Sequence, residues 1–421
     1  LTSGFLINTK NCFLLKNLLT SGFLVLGCCV MSYSNRVRWI APWKGSATKP
    51  EIYHVVSRIV GRQWVLEEAE KEHFRMLMRI CERFTGCRVL SYCLMSNHFH
   101  ILLEVTPVPE EGISDEELLS RLRVFYNEAE VAEIAQEMAE AGTVRELGEF
   151  ELRPLTEAGM PMTQAEFAAR GKEKAAARVE EIRRRYTRRM HDLSEFMKSL
   201  LERFTKWFNR THSRSGRLWE DKFKSVIVED GAAARMMAAY IDLNPVRAGM
   251  VADPAEYRWS SYGEAIGGGK KGNGKKSREG LVRAWFSSDG VGFEAERWTE
   301  VSRLYRRMMG IALGKNPGPA ISQRRSQAAA TVTKTSEELL ASEDNETVLQ
   351  DLRVSQMLRC RLRYFTDGAV IGSRAFVDQV FKESRERFGP KRKTGARKIR
   401  GVGGASAGVI WSARDLRKEI G

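Results

Sequence analysis

Residues 88–95 and 98–105 read as two β-strands with only Ser96-Asn97 between them. A two-residue connection leaves room for a tight turn and nothing else. The second strand reads His98-Phe99-His100-Ile101-Leu102-Leu103. Residues i and i+2 of a strand share a face, so His98 and His100 project together while Phe99 points the other way. Two neutral imidazoles side by side can hold a divalent metal through their ring nitrogens. The whole chain has 6 histidines, so this pairing calls for a reason. The plainer alternative is a pair of half-buried strand histidines without a role, and the spacing alone does not choose between the two.

The flanking pattern supplies a frame. Residues 52–60 are rich in β-branched side chains and read as a strand. Residues 66–85 place Phe74, Leu77, Met78, Cys81 and Phe84 on one helical stripe, and Gly86 ends it. The helical period returns strongly over 192–210, with Leu193, Phe196, Met197, Leu200, Phe204, Trp207 and Phe208 on one face. Residues 223–229 read as a further strand and 231–243 as a short helix, which Pro245 ends at Asn244. Strand, helix, strand, strand, helix, strand, helix is the split βαβ order of an α+β, ferredoxin-like fold. The expected architecture is an antiparallel sheet with helices on one face, a helical insertion and a mostly helical C-terminal extension.

The expected domain organisation follows from composition along the chain. Residues 1–50 form an N-terminal extension. The main domain spans 51–265, with a charged helical insertion at about 107–191. Residues 266–346 form a basic linker and a partly helical segment. Residues 347–421 form a small basic module, expected to bind DNA through a tail bearing Lys391, Arg392, Lys393, Arg397, Lys398 and Arg400. Leu-Thr-Ser-Gly-Phe-Leu occurs at 1–6 and again at 19–24, and residues 17–31 are apolar enough to imitate a signal core. A translated upstream region with Met31 as the real start is the preferred reading of that segment.

Charge narrows the partner. The formal net charge is +15 over 421 residues, with a pI of about 9.6. Nucleic acid is the commonest partner for such a balance, although a ribosome-like or membrane-surface protein would fit as well. The 7 cysteines include no C-x-x-C pair, which suits reduced thiols in the cytoplasm. No stretch after the N-terminal region is long and apolar enough to span a membrane.

The second chemical element is Ala239-Tyr240-Ile241-Asp242-Leu243-Asn244-Pro245-Val246-Arg247-Ala248-Gly249, where Tyr240 and Asn244 share a helix face. With this segment on the page, the chain resembles a known family. Met95-Ser96-Asn97-His98-Phe99-His100 is similar to the His-hydrophobic-His signature of the HUH single-tyrosine, IS200-like transposases. The Tyr240 segment is similar to the tyrosine helix of the REP-associated branch. Three more segments match that branch: Tyr53-His54-Val55-Val56-Ser57-Arg58, Gly216-Arg217-Leu218-Trp219-Glu220-Asp221-Lys222-Phe223, and Tyr257 with Trp259-Ser260-Ser261-Tyr262. The resemblance covers roughly 50–265 without the insertion.

What the resemblance implies is chemically coherent. The Tyr240 hydroxyl would attack a phosphodiester of single-stranded DNA, and the phosphotyrosine would retain the bond energy for rejoining. Tyrosine is a weak nucleophile at neutral pH and needs help. His98 and His100 would hold Mg2+ or Mn2+, which polarises the phosphate. Relatives usually complete this site with Gln four residues after the tyrosine. Asn244 stands there and is one methylene shorter. Softness would favour Mn2+ somewhat. The substrate would be single-stranded or hairpin DNA. Arg58, Arg217, Lys222, Lys224 and Arg247 could contact phosphates. Trp219, Trp259 and Tyr262 could stack on unpaired bases, or equally pack in the core. His54 reads as structural, and no partner could be named for His73, His191 or His212. The superfamily allows a monomer or a homodimer, because the tyrosine helix can be exchanged between chains. Two competing readings stay open: a domesticated, non-catalytic DNA- or RNA-binding protein, and a metal-dependent hydrolase that does not need Tyr240.

Overall fold

The strand pair that opens the sequence argument forms as a tight hairpin: β2 (Arg88–Leu94) and β3 (His98–Val105) pair antiparallel, and Met95 N–H donates to the His98 carbonyl at 2.8 Å. The structure is a computed structural model. It describes residues 38–144, 159, 162–267, 274–286, 297–310, 358, 363–388, 390, 392–398 and 410–414, which all fall in one unit, Arg36–Gly421. The expectations for residues 1–37, the Gly/Lys-rich run at 268–273 and residues 311–346 lie outside the described residues.

β1 (Glu51–Arg58) lies beside β3, and α1 (Glu68–Thr85) crosses between β1 and β2. Glu67 and Glu70 form a capping box at the start of α1. Gly86 ends the helix in the left-handed region, φ 74°, with its N–H on the Glu82 carbonyl. α2 (Asp115–Leu122), α3 (Glu128–Gly142) and α4 (Gln164–Thr187) follow, so the described part of 107–191 is mostly helical. α5 (Leu193–Thr211) and β4 (Lys224–Val228) complete the first layer. Then come α6 (Ala232–Asp242), the short α7 (Asn244–Arg247), α8 (Ser261–Gly267), α9 (Gly274–Trp285) and α10 (Trp298–Met308). The C-terminal part adds α11 (Arg363–Asp367), β5 (Gly368–Gly372), α12 (Arg374–Glu383), β6 (Arg397–Lys398) and β7 (Trp411–Arg414).

The sheet order is β2-β3-β1-β4-β5-β7-β6. Its first four strands are antiparallel neighbours in the ferredoxin-like order, so the expected fold class is the observed one. β5 joins β4 in parallel and makes the whole sheet mixed. The C-terminal strands therefore continue the main sheet and do not stand apart as a separate module.

The helices cover both faces, where the sequence suggested one. Phe99 points to α1 and α5, with its ring 4.9 Å from Phe74, which in turn lies 5.1 Å from Phe204. On the opposite face Ser91 reaches the Ala238 carbonyl of α6 at 3.5 Å, and Glu104 pairs with Arg283 of α9 at 2.6 Å. The reason is visible in β3, which is buried at every position after His98. A strand buried on both faces needs cover on both faces.

Candidate functional site

The site lies on the α6 face, where β1, β3 and α6 meet. Antiparallel register puts Arg58 opposite His98 and Val56 opposite His100, so the period-two argument from the sequence holds. The His98 and His100 rings are 5.1 Å apart between centroids, edge to face. His98 is half-buried at the mouth of the hairpin, and its Nδ1 lies 2.6 Å from Asn97 Oδ1. An amide oxygen only accepts, so that nitrogen carries the proton. His100 is 3% exposed.

His54 is the residue whose place in the site the sequence did not reveal. Its ring stacks on His100 at 5.1 Å and meets Tyr240 edge-on at 6.4 Å. Its Nε2 lies 2.9 Å from His100 Nδ1, and its Nδ1 lies 2.6 Å from the Phe365 carbonyl oxygen of α11. Burial first, then the Arg247 charge, push the His54 ring down to about 4, against the opposing effect of the Phe365 carbonyl. Burial, followed by His98, His54, Arg247 and Arg58, holds His100 well below the usual histidine range. Both rings are neutral at neutral pH, the state in which imidazole binds metals.

Tyr240 reaches this cluster from α6 and is 2% exposed. Phe365 covers it edge-on at 4.7 Å. The Arg247 guanidinium lies 3.9 Å over the tyrosine ring and donates to the carbonyls of Tyr240 (2.6 Å) and Leu358 (2.7 Å). α6 is held in place two residues on by buried Asp242, which accepts from Tyr262 N–H (2.9 Å) and the Tyr305 hydroxyl (2.7 Å). Burial raises the Asp242 carboxyl to about 7, against these hydrogen bonds.

The remaining expected site residues divide by position. Asn244 turns its amide nitrogen to the Ile241 carbonyl (3.0 Å) and caps α6. Arg217 and Lys222 are exposed on the loop before β4. Lys224 pairs with Asp367 at 3.1 Å. The three aromatics belong to the core: Trp219 is 8%, Trp259 4% and Tyr262 1% exposed. Trp219 packs against Phe74, Phe99 and Phe204, and its Nε1–H donates to Thr205. Base stacking is therefore closed to them as folded, because a ring must present an open face to a base. The one strongly exposed tryptophan, Trp64, is 79% exposed on the loop after β1. It falls in no recurrent sequence pattern, so nothing in the sequence marks it out.

The donor set fits a divalent ion in part. Two neutral imidazoles are present, but among the described residues no group of three His, Cys, Asp or Glu side chains could hold a metal. Oxygen ligands would have to come from elsewhere.

Residues 48–113, which carry β1, α1 and the histidine hairpin, match the family model for IS200-like transposases. Over this segment the chain is similar to IS200-like transposases. The IS200-like match contains His54, His98 and His100 but stops before Tyr240. A solved structure described as a REP-associated tyrosine transposase bound to a REP hairpin aligns with 62% of this chain and 94% of its own. The identity is 12% and the TM-score 0.30, too loose a superposition to carry a statement about this site. No curated protein matches the chain.

Proposed function

We propose that the protein is a single-tyrosine DNA transposase of the REP-associated kind, acting on single-stranded DNA at hairpin repeats. One observation carries the reading: His100 of the IS200-like histidine pair and Tyr240, 140 residues beyond it in sequence, converge on one ring, that of His54. The Tyr240 oxygen would attack phosphorus. A Tyr–O–P bond forms and the P–O3′ bond breaks; the tyrosine gives up its proton and the 3′-oxygen gains one, so the upstream strand leaves with a 3′-hydroxyl and the downstream strand stays on the protein through its 5′-phosphate. Attack by a 3′-hydroxyl reverses the step without ATP.

His98 and His100 would hold Mg2+ or Mn2+, which when bound would draw negative charge from the phosphate. Asn244 would join that set through Oδ1, its Nδ2 being the atom that donates to the Ile241 carbonyl. The chain's own groups orient the reaction. Arg58, beside His98 in register, would hold an adjacent phosphate, as would exposed Arg217 and Lys222. Arg247 fixes the tyrosine ring by stacking. As folded, Phe365 covers Tyr240, so a DNA strand reaches the hydroxyl only when that ring swings aside.

The test is a covalent-adduct assay with labelled hairpin oligonucleotides and Mn2+ or Mg2+. A metal-dependent protein–DNA adduct is expected, with Tyr240→Phe and His100→Ala both inactive. Hairpin binding without adduct under both metals would favour the non-catalytic nucleic-acid binder. Cleavage that survives Tyr240→Phe would point to a hydrolase using water.

A further inference from the structure

For neutral rings, the state in which imidazole ligates a cation, the hydrogen-bond chain behind His100 has one consistent proton arrangement. A carbonyl oxygen can only accept, so the His54 nitrogen 2.6 Å from the Phe365 carbonyl, Nδ1, carries a proton. A neutral imidazole has one N–H, so His54 Nε2 is a lone pair. That lone pair faces His100 Nδ1 at 2.9 Å, so His100 must donate from Nδ1. His100 is neutral too, which leaves its Nε2 as the lone pair. Protons thus run from His100 to His54 to the backbone of α11, and the last nitrogen in line is left as an electron-pair donor.

We infer that His54 is a positioning residue that locks His100 in the Nδ1–H tautomer and thereby presents His100 Nε2 to a divalent cation. The inference rests on the metal reading given under Proposed function. Its physical basis is general: a ligating histidine is oriented by the partner of its other ring nitrogen, and loss of that partner costs about 10–100-fold in metal affinity. Here the partner is a second histidine, itself held by a carbonyl 311 residues away in the chain. The stacked rings, tilted by only 13°, fix the orientation as well as the tautomer. His98 reaches the same state by a local route, donating from Nδ1 to Asn97. The Nδ1 protons of the two histidines are thus set by different means, one by a neighbour in sequence and one by the C-terminal extension.

The test reads the tautomer without metal. In the full chain with 15N-labelled histidine, NMR should show His100 protonated at Nδ1 and bare at Nε2, its signals identified by their loss in His100→Gln. His54→Leu should release it to a mixture of tautomers and weaken Mn2+ binding by about 10–100-fold, measured by calorimetry. His54→Gln retains an oxygen that can accept from His100 Nδ1 and should keep Mn2+ affinity within about 3-fold of the parent. It also serves as the readable variant where His54→Leu fails to fold. A proton on His100 Nε2 in the parent protein would overturn the inference, as would unchanged tautomer and affinity in His54→Leu. The stated tautomer together with no Mn2+ affinity would overturn the metal reading alone, and the cation half of this inference with it.

Discussion

At the scale of single residues, Arg247 shows how the folded chain gives a motif position a second role beside the one its charge suggests. The sequence marks it as a basic residue in the Tyr240 segment, which suggests a phosphate contact. In the folded chain its guanidinium is engaged with two carbonyls and the Tyr240 ring. A lysine keeps the charge but cannot donate to both carbonyls while lying flat on the ring. Arg247→Lys should therefore cost about 1–3 kcal/mol of stability, seen as a lower denaturation midpoint, and leave the salt slope of DNA binding unchanged. A slope reduced by about one, with stability intact, would restore the phosphate role. His98 and His100 were legible because a strand has period two, and Tyr240 because its helix carries a dense motif. The place of His54 was not, since its partners are 46 and 311 residues away and a contact between distant segments leaves no periodic trace. Trp219, Trp259 and Tyr262 were ambiguous for another reason: an aromatic in a motif looks the same whether it stacks on a base or fills a core.

Among the elements, β1, α1, β2, β3, α5, β4 and α6 lie close to where alternation and helical period put them. Which face each helix covers was not legible, because continuous burial along β3 erases the polar side that would have marked solvent. The junction between the insertion and α5 was not legible either, and it turns on His191. Its backbone sits at φ 50°, its Nδ1 donates to the Thr106 carbonyl (3.0 Å), and its Nε2 accepts from Arg121 (3.1 Å). Burial, then Arg121, hold this ring below the usual histidine value, against Thr106 and Glu117. The unfolded chain therefore takes up the proton first as pH falls. The stabilisation is complete above the ordinary value of about 6.5 and is lost as pH drops through the lower folded value. Hydrogen-exchange protection in α2, which carries Arg121, should fall below about pH 6 once the intrinsic pH dependence of exchange is divided out. His191→Asn, which tolerates positive φ and does not titrate, should flatten that response. Equal pH dependence in the two proteins would remove His191 as its source.

Across the whole molecule, the C-terminal extension is tied to the site rather than appended to it. β5 pairs with β4, Val370 and Ile371 are fully buried, and α11 supplies both the ring over Tyr240 and the carbonyl behind His54. Deleting residues 347–421 thus removes core as well as charge, and weakened DNA binding by that protein would not separate the two causes. Charge must be changed where packing is not. Lys393 and Arg397 are exposed near β6, whereas Arg392 lies over the Phe388 ring, 4.7 Å from its centroid, and is a poor choice. Removing one cation that neutralises a phosphate lowers the slope of log K against log salt by about 0.7–0.9. The double variant Lys393→Gln/Arg397→Gln should keep the parent's melting temperature and lower that slope by about 1.5, if this edge of the sheet carries DNA. An unchanged slope with unchanged melting would leave the extension the structural part alone: the strand beside β4, the cover of Tyr240 and the anchor of His54.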